Sequence, residues 1–242
     1  ILALGERSSI FARPTSQHNL KPIAANIDLV MVVIAPLPEP FMNLIDRYLV
    51  AVACLGLEPM LVMNKTDLST NDSKSELDNM LSLYETIGYE IHRVSAVDGA
   101  GVDRLEQSLK GKTAVLVGQS GVGKSSLINR LGPDIDAEVG PLSAAKAKGT
   151  HTTTTSTLFH LDSYDLVDSP GIREFSLGNI DQHQLFDGFP ELRKLAGKCK
   201  FRDCSHRVEP GCVIQAAVDS GQIFPQRLDS YFQILQTLSW EQ

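Results

Sequence analysis

The sequence lacks the features that mark membrane and secreted proteins. No apolar run approaches the roughly 20 residues that a helix needs to cross a bilayer, and no charged-then-apolar secretion signal opens the chain. Its four cysteines are too few for a secreted disulfide scaffold. Because the chain starts at Ile1 rather than Met, we expect it to lack the true beginning of the protein. The default expectation is a cytoplasmic monomer with no membrane partner.

The sequence also lacks repeats, low-complexity segments and an excess of positive charge. Its 242 residues suffice for a sizeable core, as one large domain or two smaller ones. The formal charge of -7 argues against a protein that coats nucleic acid with its whole surface. One segment is nevertheless basic, opposed only by Asp203, and contains Arg193, Lys194, Lys198, Lys200, Arg202 and Arg207. Charge alone favours an ordinary solvated surface there.

Apolar runs that suit buried strands alternate with helical periodicity between residues 27 and 167. This alternation predicts an α/β fold with a mostly parallel sheet, helices on both faces, and ligands beyond the carboxyl ends of the strands. Residues 1–22 resemble a fragment, with a β-type stretch at 8–13 and a polar connector after it. The tail from 213 to 240 has helical periodicity, and Cys54 is predicted to lie in the core.

A glycine-rich stretch joins the predicted strand 113–117 to a predicted helix. It fits G-x-x-x-x-G-K-[ST] at every fixed position, in the strand–loop–helix setting that this phosphate loop requires. Backbone N–H groups of such a loop surround phosphate oxygens, and the helix adds the positive end of its dipole. We expect Lys124, as a catalytic residue, to reach the β- and γ-phosphates and Ser125 to ligate Mg²⁺. The expected phosphate-binding residues are Gly118, Gln119, Ser120, Gly121, Val122, Gly123, Lys124, Ser125 and Ser126.

A second motif follows the apolar strand 59–63 and resembles the base-specificity loop of GTPases, N-K-x-D. Its residues are Asn64, Lys65, Thr66 and Asp67. The Asp67 carboxylate can accept hydrogen bonds from N1–H and the 2-amino group of guanine, a pair that adenine does not present. Ser95 and Ala96, after the next strand, resemble the companion loop that supports the base. Alone the motif is often a plain turn, but beside a phosphate loop it favours guanine binding.

Two further segments resemble the loops that sense the γ-phosphate. Asp168 opens a D-x-x-G motif, in which it would hold Mg²⁺ through water while the Gly171 N–H contacts the γ-phosphate. Upstream, the segment 149–154 resembles a first switch, in which a threonine closes over Mg²⁺ when GTP is bound. We predict that this threonine is Thr153, with Thr152 as the second choice and a plain polar loop as the alternative.

The residue after Gly171 is Ile172, where many GTPases carry a glutamine that orients the attacking water. Because isoleucine cannot do this, we expect slow intrinsic hydrolysis. His151 is the nearest catalytic candidate in the sequence, and a residue supplied by a bound partner is the alternative. The motifs also stand in a permuted order, because the guanine loop precedes the phosphate loop. The second switch therefore leads directly into the C-terminal segment.

Three cysteines and one histidine lie close together in that segment, as C-x₄-C-x-H-x₅-C. They are Cys199, Cys204, His206 and Cys212. Three thiolates and an imidazole match a closed tetrahedral Zn²⁺ site, although the short spacing between Cys204 and His206 is unusual for a zinc finger. With no open position, the single predicted zinc is structural and would hold the basic segment as a presented surface.

Together the permuted order, G-Q-S-G-V-G-K-S-S, G-x-H-T-T-T, D-S-P-G and the cysteine–histidine pattern resemble the RsgA (YjeQ) family of circularly permuted GTPases. The resemblance covers the chain from about residue 23 to its end. It implies a factor in late maturation of the small ribosomal subunit that binds GTP and GDP and contacts ribosomal RNA. It further implies that the subunit stimulates hydrolysis, and our working hypothesis is that hydrolysis triggers release.

The family also carries an N-terminal OB-fold domain, whose last strands residues 1–22 resemble. The predicted division is therefore an OB-fold remnant at 1–22, a permuted GTPase domain at 23–178 and a zinc-binding helical domain at 179–242. Two other hypotheses stay open. The first is an ATPase or nucleotide kinase, against which Asn64 and Asp67 argue, and the second is an RNA-binding module in which the nucleotide is only structural.

Overall fold

The computed structural model describes residues 6–14, 20–68, 71–135, 137, 156–168, 177 and 180–238. A hairpin begins it, and the central elements follow. In chain order the elements are β1 (Ile10–Pro14), β2 (Leu20–Ala25), β3 (Leu29–Ile34), α1 (Met42–Cys54), β4 (Glu58–Met63), α2 (Asn71–Ile87), β5 (Glu90–Arg93), α3 (Val102–Leu109), β6 (Thr113–Val117), α4 (Lys124–Leu131), β7 (Thr157–His160), β8 (Asp165–Asp168), α5 (Gln182–Asp187), α6 (Pro190–Arg193), α7 (Val213–Asp219) and α8 (Pro225–Leu238). Across these ranges, no helix has the length and apolar character needed to span a bilayer.

The central sheet has six strands in the order β5-β4-β3-β6-β8-β7. Strand β3 pairs in parallel with both β4 and β6, and the parallel pairing continues outward to β5 and β8. Among the described strands of this sheet, only β7, at one edge, is antiparallel to its neighbour. This mixed sheet confirms the α/β prediction. All the parallel strands end at one edge of the sheet, where such folds bind ligands.

The two faces of the sheet carry separate hydrophobic clusters, and β3 contributes to both. Val30, Val32 and Ile34 face the cluster shared with α1 and α2, because strand side chains alternate between faces. Leu29 and Met31 face the cluster shared with α3 and α4. Every residue of β3 is buried, which explains its uninterrupted apolar sequence.

The C-terminal helices pack into the first of these clusters. Leu185, Phe189, Ile214 and Tyr231 are all buried there together with residues of α1. The helical tail consists of two helices, α7 and α8, rather than one continuous element. Gly221 has a φ of +73° in the connection between them, a conformation that favours glycine.

A buried ionic cluster joins four helices at this packing surface. The Arg227 guanidinium from α8 is 1% exposed and bonds to the Asp46 carboxylate of α1. It also donates to both carboxylate oxygens of Glu191 in α6, at 2.6 and 3.3 Å. The Tyr84 hydroxyl of α2 donates to Asp46 at 2.7 Å, and the Phe189 ring lies 4.4 Å from the guanidinium carbon. None of these residues belongs to a motif that the sequence displays.

Two expectations from the sequence are wrong. Where a polar connector was expected, β2 pairs antiparallel with β1, so the predicted boundary at residue 22 falls inside a strand. Pro22 obscured this strand, although an outer strand tolerates proline because the missing N–H need not pair. Cys54 is exposed rather than buried, because it ends α1 on the side away from that helix's buried residues.

Candidate functional site

The predicted nucleotide-binding residues lie in loops after four parallel strands, at one edge of the sheet. Asn64 follows β4, Ser95 follows β5, Gly118 follows β6, and Asp168 ends β8. Lys124, Ser125 and Ser126 are the first three residues of α4. The order of the strands in the sheet therefore brings together motifs that the sequence separates by up to about a hundred residues.

The phosphate loop has the backbone geometry that its glycines permit. Gly118 has a φ of +141° and Gly123 a φ of +89°, both unfavourable for residues with a side chain. A Cβ at Gly118 would collide with the Val33 carbonyl oxygen, and one at Gly123 would lie 2.5 Å from the Asn64 amide nitrogen. The Lys124 ammonium donates to the carbonyl oxygens of Gly118 and Gln119, at 2.7 Å each, so it lies over the loop.

The Asn64 side chain connects the guanine loop to both neighbouring loops. Its Nδ2 donates to the carbonyl oxygens of Val122 and Gly123 in the phosphate loop, at 3.0 and 3.3 Å. Its Oδ1 accepts a hydrogen bond from the Ala96 N–H at 3.1 Å. Asn64 is completely buried, so each of these bonds satisfies a group that water does not reach. One amide thus fixes the relative positions of three loops.

Lys65 adds a second connection to the phosphate loop. Its ammonium donates to the Gly121 carbonyl oxygen at 2.5 Å and to the Leu37 carbonyl oxygen, in the loop after β3, at 3.1 Å. The φ of Lys65 is +60°, so the backbone turns sharply between β4 and the short 3-10 turn Thr66–Leu68. The Thr66 N–H donates to the Val94 carbonyl oxygen at 3.2 Å, which holds this turn against the end of β5.

The Asp67 carboxylate is exposed at the rim of the site and is oriented by Ser95. The buried Ser95 hydroxyl donates to Asp67 Oδ1 at 2.6 Å. The same hydroxyl oxygen accepts hydrogen bonds from the N–H groups of Val97 and Asp98, at 3.3 and 3.2 Å. The Ser-Ala loop therefore orients the Asp67 carboxylate, the hydrogen-bond acceptor that the N-K-x-D motif predicts for guanine.

Asp168 ends β8, and Ser125 lies in the first turn of α4 after the neighbouring strand β6. A hydroxyl and a carboxylate at adjacent strand ends are oxygen ligands of the kind that Mg²⁺ prefers. The predicted residues His151, Thr152, Thr153 and Gly171 lie outside the described residues, as does Ile172.

The four predicted metal ligands converge in the C-terminal segment. The ligand atoms of Cys199, Cys204, His206 and Cys212 all lie within 4.8 Å of one another. Cys199 Sγ and Cys212 Sγ each lie 3.5 Å from His206 Nδ1 and 4.0 Å from one another. A tetrahedral Zn²⁺ ion sets its sulfur and nitrogen ligands about 3.5 to 3.8 Å apart. The donor set therefore fits such an ion, and the 3.5 Å distances from His206 Nδ1 to the two sulfurs match its spacing.

Residues outside the predicted ligand set hold this cluster in shape. Glu209 accepts hydrogen bonds from the N–H groups of Ser205, Arg207 and Val208, between 2.7 and 3.1 Å. Hydrogen bonds from Ser205, that of its side chain first and that of its N–H second, lower the pKa of Glu209 to about 2, and the Val208 N–H contributes in the same direction. Gln215 donates to the His206 carbonyl oxygen at 2.6 Å, and the Phe186 ring stacks on the His206 ring. The sequence feature that could have indicated Glu209 is its position as a carboxylate between two of the predicted ligands, His206 and Cys212.

Known structures share this fold. The crystal structure of YjeQ from Thermotoga maritima superposes with a TM-score of 0.79 at 31% sequence identity, over 96% of this chain and 76% of that one. The structure of YloQ, described as a circularly permuted GTPase, gives a TM-score of 0.77 at 28% identity, over 98% and 74% of the two chains. The fold is that of a circularly permuted GTPase.

Sequence comparison narrows the class to one family. The model of the RsgA GTPase family matches residues 4–178. Proteins named small ribosomal subunit biogenesis GTPase RsgA are similar over almost the whole chain. The one from Pseudomonas putida is 50% identical over 99% of this chain and 70% of its own length, and that from Azotobacter vinelandii is 51% identical over 98% and 70%. The chain belongs to the RsgA GTPase family and is a GTPase.

Proposed function

We propose that this GTPase binds GTP at the carboxyl edge of its sheet and hydrolyses it as a factor in late maturation of the small ribosomal subunit. The observation that carries the nucleotide assignment is the Asn64 side chain. It holds the guanine loop, the Ser-Ala loop and the phosphate loop in one arrangement. GTP would lie across these loops, with the base against Asp67 and the phosphates within residues 118–126.

The chain's own residues divide the work on the nucleotide. Asp67, oriented by Ser95, would accept the hydrogen bonds of the guanine edge. Lys124 would exchange its bonds to the loop carbonyls for the β- and γ-phosphates, where its charge stabilises the transferring group. Gly171 would donate its N–H to the γ-phosphate. Bound Mg²⁺ would supply charge neutralisation at the phosphates, with Ser125, Thr153 and Asp168 as the residues that hold it.

Water activation is the step for which the chain supplies the least. Ile172 cannot orient a water molecule, so the chain relies on His151 or on a group that the partner contributes. We therefore propose that the small subunit stimulates hydrolysis and that hydrolysis is coupled to release. Such a protein would act in the cytoplasm as a monomer that binds GTP and, after hydrolysis, exchanges the GDP for GTP.

Two features support a ribosomal partner. The relatives that match nearly the whole chain are named for biogenesis of the small ribosomal subunit. In this chain, the six basic side chains between Arg193 and Arg207 are all exposed, although the net charge of the protein is -7. We propose that ribosomal RNA contacts this basic segment and that structural Zn²⁺ in the Cys₃His cluster holds it. Residues 1–22 would belong to an OB-fold domain that adds a second RNA contact.

The test is GTP hydrolysis by the chain alone and with purified small ribosomal subunits. We expect strong stimulation that disappears in Lys124→Ala, because the variant loses the charge over the phosphates. Hydrolysis that subunits do not change would refute the ribosomal assignment. Competition between GTP and ATP on the same preparation tests the ATPase hypothesis, which preferential binding of ATP would support and preferential binding of GTP would refute. An absence of GTP turnover would favour a purely structural nucleotide.

A further inference from the structure

Two cavities, of about 640 and 630 Å³, lie among the described residues. The one beside the metal cluster is the more informative. This second cavity measures about 630 Å³ and lies between α5 and the segment of the metal ligands. Its walls include the aromatic residues Phe186, Phe201 and Tyr231, together with Arg202 and the polar residues Gln182, His183 and Asp187.

The metal cluster alone does not account for this cavity. Cys199, Cys204 and His206 form only part of its wall, and their ligand atoms lie within 4.8 Å of one another. A bound ion would fill the small space among those atoms. The cavity as a whole, at about 630 Å³, falls in the range of about 300 to 1,000 Å³ that is typical of sites for small organic groups.

The chemistry of the walls favours a planar, polar group with an attached anion. Phe201 is 42% exposed, and the Lys200 ammonium lies 5.4 Å from the centre of its ring. A flat ring can stack on such an exposed aromatic face. Outside the cavity, the exposed lysines and arginines of the basic segment would neutralise phosphates.

We propose that this cavity binds one unstacked nucleotide of a single-stranded RNA segment, with its base on Phe201 and its phosphates on the basic rim. The proposal rests on the proposed function, because it names the RNA contact of the C-terminal segment. The base edge would bond to Gln182 and Asp187, whose side chains line the same cavity. Arg202 would hold the phosphate at the mouth.

An acidic peptide fits these walls less well than a base does. The Asp187 carboxylate, which also pairs with His183 at 3.2 Å, would repel an acidic side chain inside the cavity. The same carboxylate can accept a hydrogen bond from the exocyclic amino group of a base. Double-stranded RNA does not fit either, because its bases are stacked and cannot enter a cavity.

The experiment measures binding of a short fluorescent single-stranded RNA of mixed sequence, and of the same strand annealed to its complement. It uses the full chain with its metal and compares Phe201→Ala, Phe201→Trp and Val208→Ala. Val208 is the matched control, because it lies in the same segment and is 89% exposed but does not line the cavity. Basal GTP hydrolysis, in which Phe201 takes no part, checks that each variant is folded.

We expect Phe201→Ala to weaken single-stranded binding roughly tenfold, with little change for the duplex, and Phe201→Trp to retain wild-type affinity. Phe201→Ala should leave the salt dependence of binding unchanged. Lys194→Ala should reduce the slope of log affinity against log salt concentration by about one, because one phosphate contact is lost. Equal losses for single strand and duplex, or no loss, would overturn the proposal. The cavity would be assigned to a peptide instead if an acidic peptide displaced the RNA and bound Phe201→Ala more weakly than the wild type.

Subunit-stimulated GTP hydrolysis, measured on the same preparations, separates this proposal from the proposed function. If the wild type responds to the subunit but Phe201→Ala binds single-stranded RNA normally, only the cavity assignment fails. If the wild type does not respond to the subunit, the ribosomal role fails, whatever Phe201 contributes to RNA binding.

Discussion

The buried Asn64 amide uses its hydrogen-bonding capacity on three separate loops, and this makes it sensitive to change. Its nitrogen donates to two carbonyl oxygens of the phosphate loop, and its oxygen accepts from Ala96. An aspartate there would place a negative charge against two carbonyl oxygens, and an alanine would leave buried groups without partners. The arrangement of the nucleotide site therefore depends on the identity of one residue.

Asp67 gives a prediction that tests base recognition directly. Asp67→Asn replaces one acceptor oxygen by an NH₂ donor, which no longer matches the 2-amino group of guanine but matches the 2-oxo group of xanthine. We expect GTP affinity to fall about 10- to 100-fold, since hydrogen bonds to charged groups contribute about 1.5–3 kcal/mol. XTP affinity should rise. The measurement is competition of GTP, XTP and ATP against a fluorescent GDP analogue.

The control for this prediction is Asp103→Asn, which changes an exposed acid in the first turn of α3 that belongs to neither the guanine loop nor the Ser-Ala pair. It should bind all three nucleotides as the wild type does. An Asp67→Asn variant that retained full GTP affinity would show that this carboxylate does not read the base.

At the scale of elements, the Arg227 cluster binds helices of the GTPase sheet to the C-terminal helices. The guanidinium of α8 lies between the carboxylates of Asp46 in α1 and Glu191 in α6, with the Tyr84 hydroxyl of α2 on Asp46. Burial of such charges costs free energy unless all partners are present. We infer that the cluster selects one way of packing these four helices more than it adds to stability.

We predict that Arg227→Met destabilises the whole chain by about 3–5 kcal/mol, because it leaves the buried Asp46 carboxylate and the largely buried Glu191 carboxylate without their counter-charge. The control, Arg193→Ala, removes an exposed basic residue of the neighbouring helix α6 and should cost less than about 0.5 kcal/mol. Urea unfolding followed by circular dichroism measures both. Equal stability of the two variants would mean that the buried cluster contributes nothing.

The difference between these two scales explains what the sequence could predict. The apolar runs of β3, β4 and β6 and the loops after them have fixed local patterns, so the sheet and the positions of its motifs were predictable. Strand β2 was missed because Pro22 suggests a connector. Arg227 was missed because its partner Asp46 lies 181 positions away, and no local pattern distinguishes a buried arginine from an exposed one.

At the scale of the molecule, the C-terminal helices and the GTPase sheet share a hydrophobic cluster. Residues of β3 and α1 lie in it with Leu185 of α5, Ile214 of α7 and Ile234 of α8. Cys212, one of the four candidate metal ligands, is buried in the same cluster and caps α7 by accepting from the Gln215 N–H. We infer that residues 179–242 do not form an independent folding unit, whatever role they have in binding.

This inference predicts one thermal transition for the chain, in which helix content and bound fluorescent GDP are lost together. A strong zinc chelator should lower the temperature of that single transition, because metal that binds only the folded cluster stabilises the whole unit. Metal analysis should find one zinc per chain before treatment, and added zinc should restore the original temperature. Two separate transitions, of which only one responds to the chelator, would contradict this inference. The GTPase domain would then unfold independently of the zinc segment, which would support the division at residue 179.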